Sequence, residues 1–169
     1  MKSMNLGKRH QTGFTIVELL IVIVVIGILA AITVVAYNGI QARANDAKRA
    51  QDIKTIQTAL QAYDVQNSGL PRTHTPGSYT NGVIYAGWDA SVSPNWLAFL
   101  KPMIGTVPVD PVNTIAAGNN PPAGGNMNYF YYCYTAGSGP LPSTANVMIG
   151  YHKSDGSSAT RAFAVNACT

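Results

Sequence analysis

Gly13-Phe14-Thr15-Ile16-Val17-Glu18 leads into an apolar run from Leu19 to Tyr37 and follows a short basic head, Lys8-Arg9-His10. No side chain from Leu19 to Val35 is charged, and only Gly27 and Thr33 interrupt the aliphatics. Together with Phe14 to Val17 the run reaches the ~20 residues a helix needs to cross a bilayer. A secretory signal peptide has an apolar stretch of only ~7–15 residues before a small-residue cleavage site. Ala30-Ala31 imitates such a site, but the helical pattern continues through it into Ile40. A plain signal anchor or a buried core helix would also contain such a run, but neither accounts for Glu18. A charged side chain in hydrocarbon costs ~2.5–3.5 kcal/mol on insertion scales, so an acid there calls for a partner. The nearest cations, Lys8 and Arg9, lie on its N-terminal side and belong in the cytoplasm by the positive-inside rule. Cutting between Gly13 and Phe14 would supply a new cation, because the freed amine of Phe14 would stand about one helical turn from Glu18.

The stretch from Gly13 to Ile32 resembles the N-terminal signature of type IV pilins and pseudopilins. In that family a membrane prepilin peptidase cuts after the glycine on the cytoplasmic side and methylates the new N-terminal Phe. The glutamate at the fifth mature position pairs with the amine of a neighbouring subunit. The resemblance implies cleavage at Gly13, N-methylation at Phe14 and an assembly carboxylate at Glu18. One departure is Val35, where many members carry a helix-kinking Pro; its absence bears on a kink and not on the assignment.

Residues 1–13 read as leader, 14–37 as transmembrane and assembly helix, 38–67 as its amphipathic continuation, and 68–169 as a C-terminal β-rich globular domain. In the continuation Ile40, Ala44, Ala47, Ala50, Ile53, Ile56, Leu60 and Tyr63 recur at three- and four-residue spacing. Arg43, Asp46, Lys48, Arg49, Asp52 and Lys54 read as a solvated charged face. Gly69 and Pro71 end the helix near Asn67, the glycine offering a left-handed cap. At ~1.5 Å per residue the helix would be roughly 80 Å long, more than a bilayer needs.

Beyond it, Gly69 to Trp96 is a Gly/Pro-punctuated linking loop with Val83-Ile84-Tyr85 as a short strand at best. Trp96 to Leu100 predicts a helical turn or two, bounded by Lys101-Pro102. Val107-Pro108-Val109-Asp110-Pro111 is similar to the Pro-x-Asp-Pro turn of the same family's globular region, and Asn119 to Asn126 is a loop. Asn128 to Tyr134 is the strongest strand signal, with Tyr129, Tyr131 and Cys133 on one face and Phe130, Tyr132 and Tyr134 on the other. Strands at Val147 to His152 and near Ala162 to Val165, separated by the turn Ser154-Asp155-Gly156, complete a small antiparallel sheet. The fold class is α+β: a long N-terminal helix packed on that sheet.

The chain has 169 residues, 47% hydrophobic and 11% charged, enough for one modest domain and an anchor. Its formal charge of +4 owes three charges to Lys2, Lys8 and Arg9, and without them eight Lys and Arg face seven Asp and Glu. Bulk charge therefore identifies no partner and establishes no nucleic-acid binding. Cys133 and Cys168 fall in the part the membrane signal places outside the cytoplasm, where a disulfide between them closes ~35 residues and contributes about 3–4 kcal/mol. Two unpaired buried thiols are the alternative. No CxxC or Cys/His spacing marks a zinc site, and no loop has the ligand density calcium requires, so no metal and no cofactor are expected.

Catalytic groups are sparse and an enzyme is not expected. His10 lies in the leader, His74 in a loop, and His152 reads as an exposed strand-end residue beside Lys153; Asp89, Asp110 and Asp155 read as scattered loop acids. The expected function is a structural subunit of a type IV pilus-like filament serving adhesion, motility or DNA uptake. Its partners would be other copies, prepilin peptidase, an ATPase-driven membrane assembly machinery and, before assembly, the lipid bilayer. It would start as a single-pass protein of the cytoplasmic membrane with its C-terminal domain outside, then join an extracellular pilus or an envelope pseudopilus. The first alternative is a pseudopilin of a type II secretion system, and the second a single-pass membrane-anchored enzyme or binding domain.

Overall fold

The computed structural model describes residues 13–71, 88–115 and 123–169. Helix α1 (Ile16–Asn67) is followed by β1 (Asp89–Ala90), a 3-10 turn (Ala98–Leu100), α2 (Lys101–Ile104), β2 (Tyr129–Tyr134), β3 (Asn146–His152) and β4 (Ser158–Ala164). The architecture is α+β, pilin-like, with the strands in one antiparallel sheet of order β1-β2-β3-β4. By contact density the chain falls into two compact units, one ending at Gln41 and one running from Ala42 to Thr169.

In the first unit the aliphatics of α1 are exposed, Leu19 at 60% and Ile32 at 62%. Among the described residues one helix, α1, is long and apolar enough to cross a membrane, with an 18-residue window of mean hydropathy 3.3 and none of it buried.

In the second unit α1 turns a narrow face to the sheet. Ile53, Ile56 and Leu60 are buried with Tyr129, Tyr131, Cys133, Val147 and Ile149. The alternation of β2 puts Tyr129, Tyr131 and Cys133 into this core. Phe130, Tyr132 and Tyr134 meet Trp88 on the other side, ring centroids 5.0–6.3 Å apart. Gly150 sits opposite Phe130 in the β2–β3 register, where a Cβ would lie 2.6 Å from the Phe130 ring and 2.7 Å from the Ala159 carbonyl oxygen.

Several expectations need correction. Ile40, Ala44, Ala47 and Ala50 are exposed, because the docking face of α1 runs through Ala42, Asp46, Arg49, Ile53, Ile56 and Leu60 and includes polar members. The helix ends at Asn67, but Ser68 takes the left-handed conformation (φ 56°). Gly69 instead gives the C-terminal segment room: a Cβ there would be 3.1 Å from the Ala167 carbonyl oxygen, beside the Leu70–Cys168 bridge. Lys101-Pro102 begins α2 instead of bounding a helix, since a first-turn proline removes an N–H that has no helical partner anyway. The strand near 162 starts earlier, at Ser158, and pairs over seven residues with β3. Asp89–Ala90 forms a strand inside the expected linking loop. Val83 to Tyr85, His74, the leader up to residue 12 and positions 119–122 lie outside the described residues.

Candidate functional site: the helix start and the Arg49 junction

Thr15 and Glu18 form a reciprocal cap at the start of α1. The Thr15 N–H and hydroxyl donate to Glu18 Oε2 at 2.9 and 2.7 Å, and the Glu18 N–H donates to Thr15 Oγ1 at 3.3 Å. This is a capping box, Thr at the N-cap and Glu three residues on, which satisfies N–H groups that have no helical acceptor. The positive end of the helix dipole also favours a carboxylate there. Sequence reasoning looked for a cation to partner Glu18 and missed the hydroxyl three residues back, although T-x-x-E before an apolar run is a legible signature. Gly13 and Phe14 precede the first helical residue, and Phe14 is 86% exposed. The proposed scissile bond is thus outside regular structure, and the one carboxylate of the run is oriented by its own helix turn with Oε1 outside these bonds.

The second cluster joins α1 to the globular fold. Arg49, expected on a solvated face, is 1% exposed. Its Nε and Nη2 donate to the two Asp110 oxygens at 2.7 and 3.1 Å, and its Nη1 donates to Asp46 Oδ1 at 2.7 Å and Ser154 Oγ at 3.1 Å. Asp110, expected as a loop acid, also accepts the N–H groups of Val112 and Asn113 and so folds the Pro108–Pro111 turn around the guanidinium. The planar fork suits two carboxylates at once, which a lysine could not match. Ser154 donates to Asp46 and to the Ala42 carbonyl, fixing the β3–β4 turn on the same helix turns. The Tyr129 hydroxyl donates to Asp52 at 2.7 Å, and the Asp64 carboxylate accepts the Asn166 N–H.

Two more expectations change. His152 is 1% exposed, packed on Phe130 with its Nδ1 3.0 Å from Ser158 Oγ, because its strand continues inside the sheet up to that residue. Asp89 is 5% exposed and accepts the N–H groups of Ala90 and Leu97. Burial raises its pKa to about 7 in spite of those two bonds. Burial likewise lifts the Tyr131 hydroxyl far above its ordinary range. Cys133 and Cys168 are joined by a disulfide with Cα atoms 5.7 Å apart. Among the described residues no group of His, Cys, Asp or Glu is arranged to hold a metal ion.

This geometry defines a chain with an apolar helix, a capped acid at its start and a small sheet domain. Residues 8–34 match the family described as the prokaryotic N-terminal methylation motif. The chain is similar to type II secretion system core protein G of Aeromonas hydrophila, 39% identical over 66 residues, covering 39% of this chain and 46% of that protein. The same-named protein of Vibrio cholerae is 40% identical over 65 residues (38% and 44% covered), and that of Pseudomonas aeruginosa 43% over 68 (39% and 46%). The chain thus spans less than half the length of the curated relatives it matches. No solved structure matches. Motif and relatives agree in the N-terminal segment, which carries the prokaryotic N-terminal methylation motif and is similar to part of type II secretion system core protein G.

Proposed function

We propose that the chain is a structural subunit of a secretion-type pseudopilus. It is cut between Gly13 and Phe14 by prepilin peptidase, methylated at Phe14, held in the cytoplasmic membrane by residues 14–37 with its C-terminal domain outside, and drawn into a helical filament by an ATPase-driven machinery. The observation that carries this is Glu18, a capped carboxylate at the head of an otherwise uncharged, exposed apolar run inside a matched methylation motif. Similarity to core protein G favours the secretion filament over the surface pilus that the sequence alone put first.

The mechanism follows from the residues. In the bilayer the surface from Leu19 to Val34 faces lipid, and in the filament the same surface faces neighbouring helices, so assembly exchanges one apolar environment for another. Thr15 occupies Oε2 of Glu18, leaving Oε1 to receive the Phe14 amine of an adjacent copy. An unpaired charge in such surroundings costs about 3–5 kcal/mol, which sets the axial register. Glu18→Ala is expected to leave the chain in the membrane fraction and remove it from sheared or overexpressed filaments seen by electron microscopy. Normal filaments from that variant would contradict the proposal.

A further inference from the structure

Among the described residues β4 has a strand on one side only, β3, and ends the sheet. The Lys153 N–H donates to the Ser157 carbonyl and the Val165 N–H to the Ala145 carbonyl, so the ladder bonds of this hairpin fall at odd-numbered positions. The N–H and C=O groups of Ser158, Thr160, Ala162 and Ala164 therefore point away from β3, toward the open edge. Such an edge is a template for another strand. Its sequence, Ser-Ala-Thr-Arg-Ala-Phe-Ala, has no proline, and its register carries no bulge. Arg161, the one charged residue of the strand, stands on the face where an apolar side chain is expected. Ala159 and Phe163 flank it on that face, and the β3 partners Tyr151, Ile149 and Val147 are all buried in the core. Arg161 also lines a small cleft with Ala50 and Ile53 of α1, so it faces the helix side of the sheet. The outer face of β4 carries no charge.

We propose that Arg161 is placed to stop two copies of this chain from pairing edge to edge through β4. The ladder selects both the partner and the register. In an antiparallel pair of two β4 edges, residues whose backbone groups point outward must lie opposite one another. The register that engages all seven positions sets Ser158 opposite Ala164, Thr160 opposite Ala162 and Arg161 opposite its own copy. Arg161 then falls at a non-hydrogen-bonded position, where Cα atoms are only ~4.5 Å apart and side chains are closest. Like charges directly opposite each other on one face of a sheet destabilise the pair. Slipping the register separates the two guanidinium groups but leaves residues at the strand ends unpaired. An inward-pointing charge at the middle of an edge strand is therefore the position at which one residue blocks the pairing most completely. A two-fold pair of this kind would close on itself, so blocking it leaves the chain free for open-ended assembly. The edge belongs to the sheet unit and is the same whether or not the chain enters a filament.

The test uses the full chain in detergent, with self-association followed by light scattering and the outward amides of Thr160, Ala162 and Ala164 by hydrogen exchange. Wild type and Arg161→Lys should leave those amides in free exchange. Arg161→Thr should self-associate about tenfold more tightly than wild type and protect them, since a Thr–Thr pair replaces the repulsion. Arg161→Glu alone should leave them unprotected, because like charges still meet. Mixed with wild type it should form a heterodimer protected at the same amides and weakened by salt, because Arg then stands opposite Glu. An Arg161→Thr chain that does not associate, a mixture that does not pair, or association that leaves those amides unprotected would overturn the proposal. A wild-type chain already protected there by pairing with a second copy would overturn it as well.

Discussion

Arg49 and Asp110 are 61 residues apart in sequence and meet through two hydrogen bonds, their side chains 1% and 0% exposed. The pair ties the helix that carries the apolar run to the Pro108–Pro111 turn, while Asp46 and Ser154 tie the same guanidinium to the β3–β4 turn. A pull on α1 is therefore shared between two parts of the domain. Removing one partner strands the other charge in the interior, so Arg49→Met and Asp110→Ala should each destabilise the domain by about 3–5 kcal/mol. A chemical-denaturation series on the full chain in detergent checks this. In a double-mutant cycle the combined variant should lose less than the sum of the two.

Asp89 gives the fold a pH dependence of definite sign. Its pKa is raised to about 7 in the folded chain by burial, against ~3.9 unfolded. The folded form therefore holds a proton that the unfolded chain releases. The stability this group contributes is fully present below about pH 4 and is lost as pH rises to about 7, where it levels off. Asp89→Asn should remove that component, so the difference between wild-type and variant denaturation midpoints should change across pH 4–7. A difference that stays constant would refute it.

Gly150 is fixed by its neighbours and not by its backbone angles. A methyl group there would meet the Phe130 ring at 2.6 Å and the Ala159 carbonyl at 2.7 Å, and a strand backbone cannot retreat without breaking its ladder. Gly150→Ala should lower stability by about 1–3 kcal/mol. In the Phe130→Leu background, thermal melts should show part of that loss recovered.

What was legible in the sequence follows from how each signal arises. The apolar run, the end of α1 at Asn67 and the alternation of β2 express local periodicity, which survives in a single sequence. The junction was hidden because Arg49, Asp46 and Asp110 are ordinary surface residues by type, and only a partner 61 residues away makes burial tolerable. The same masking hid His152, whose Ser158 partner sits on the next strand. β1 was missed because Asp89 is a poor strand former, held there by its pairing with Tyr131 and by the Leu97 N–H, whose residue adopts φ 40°. The docking face of α1 shifted for a related reason. An apolar stripe read through Ile40, Ala44 and Ala47 ignores charged side chains that find buried partners.

The central claim concerns where the mature chain begins. Intact mass and N-terminal fragment masses of the protein, purified from membranes of a cell with an active prepilin peptidase, test it most directly. The expected species starts at Phe14 with one methyl group on its amine. A chain retaining Met1 to Gly13, or one starting at Ile32 after cleavage at Ala30-Ala31, would contradict it.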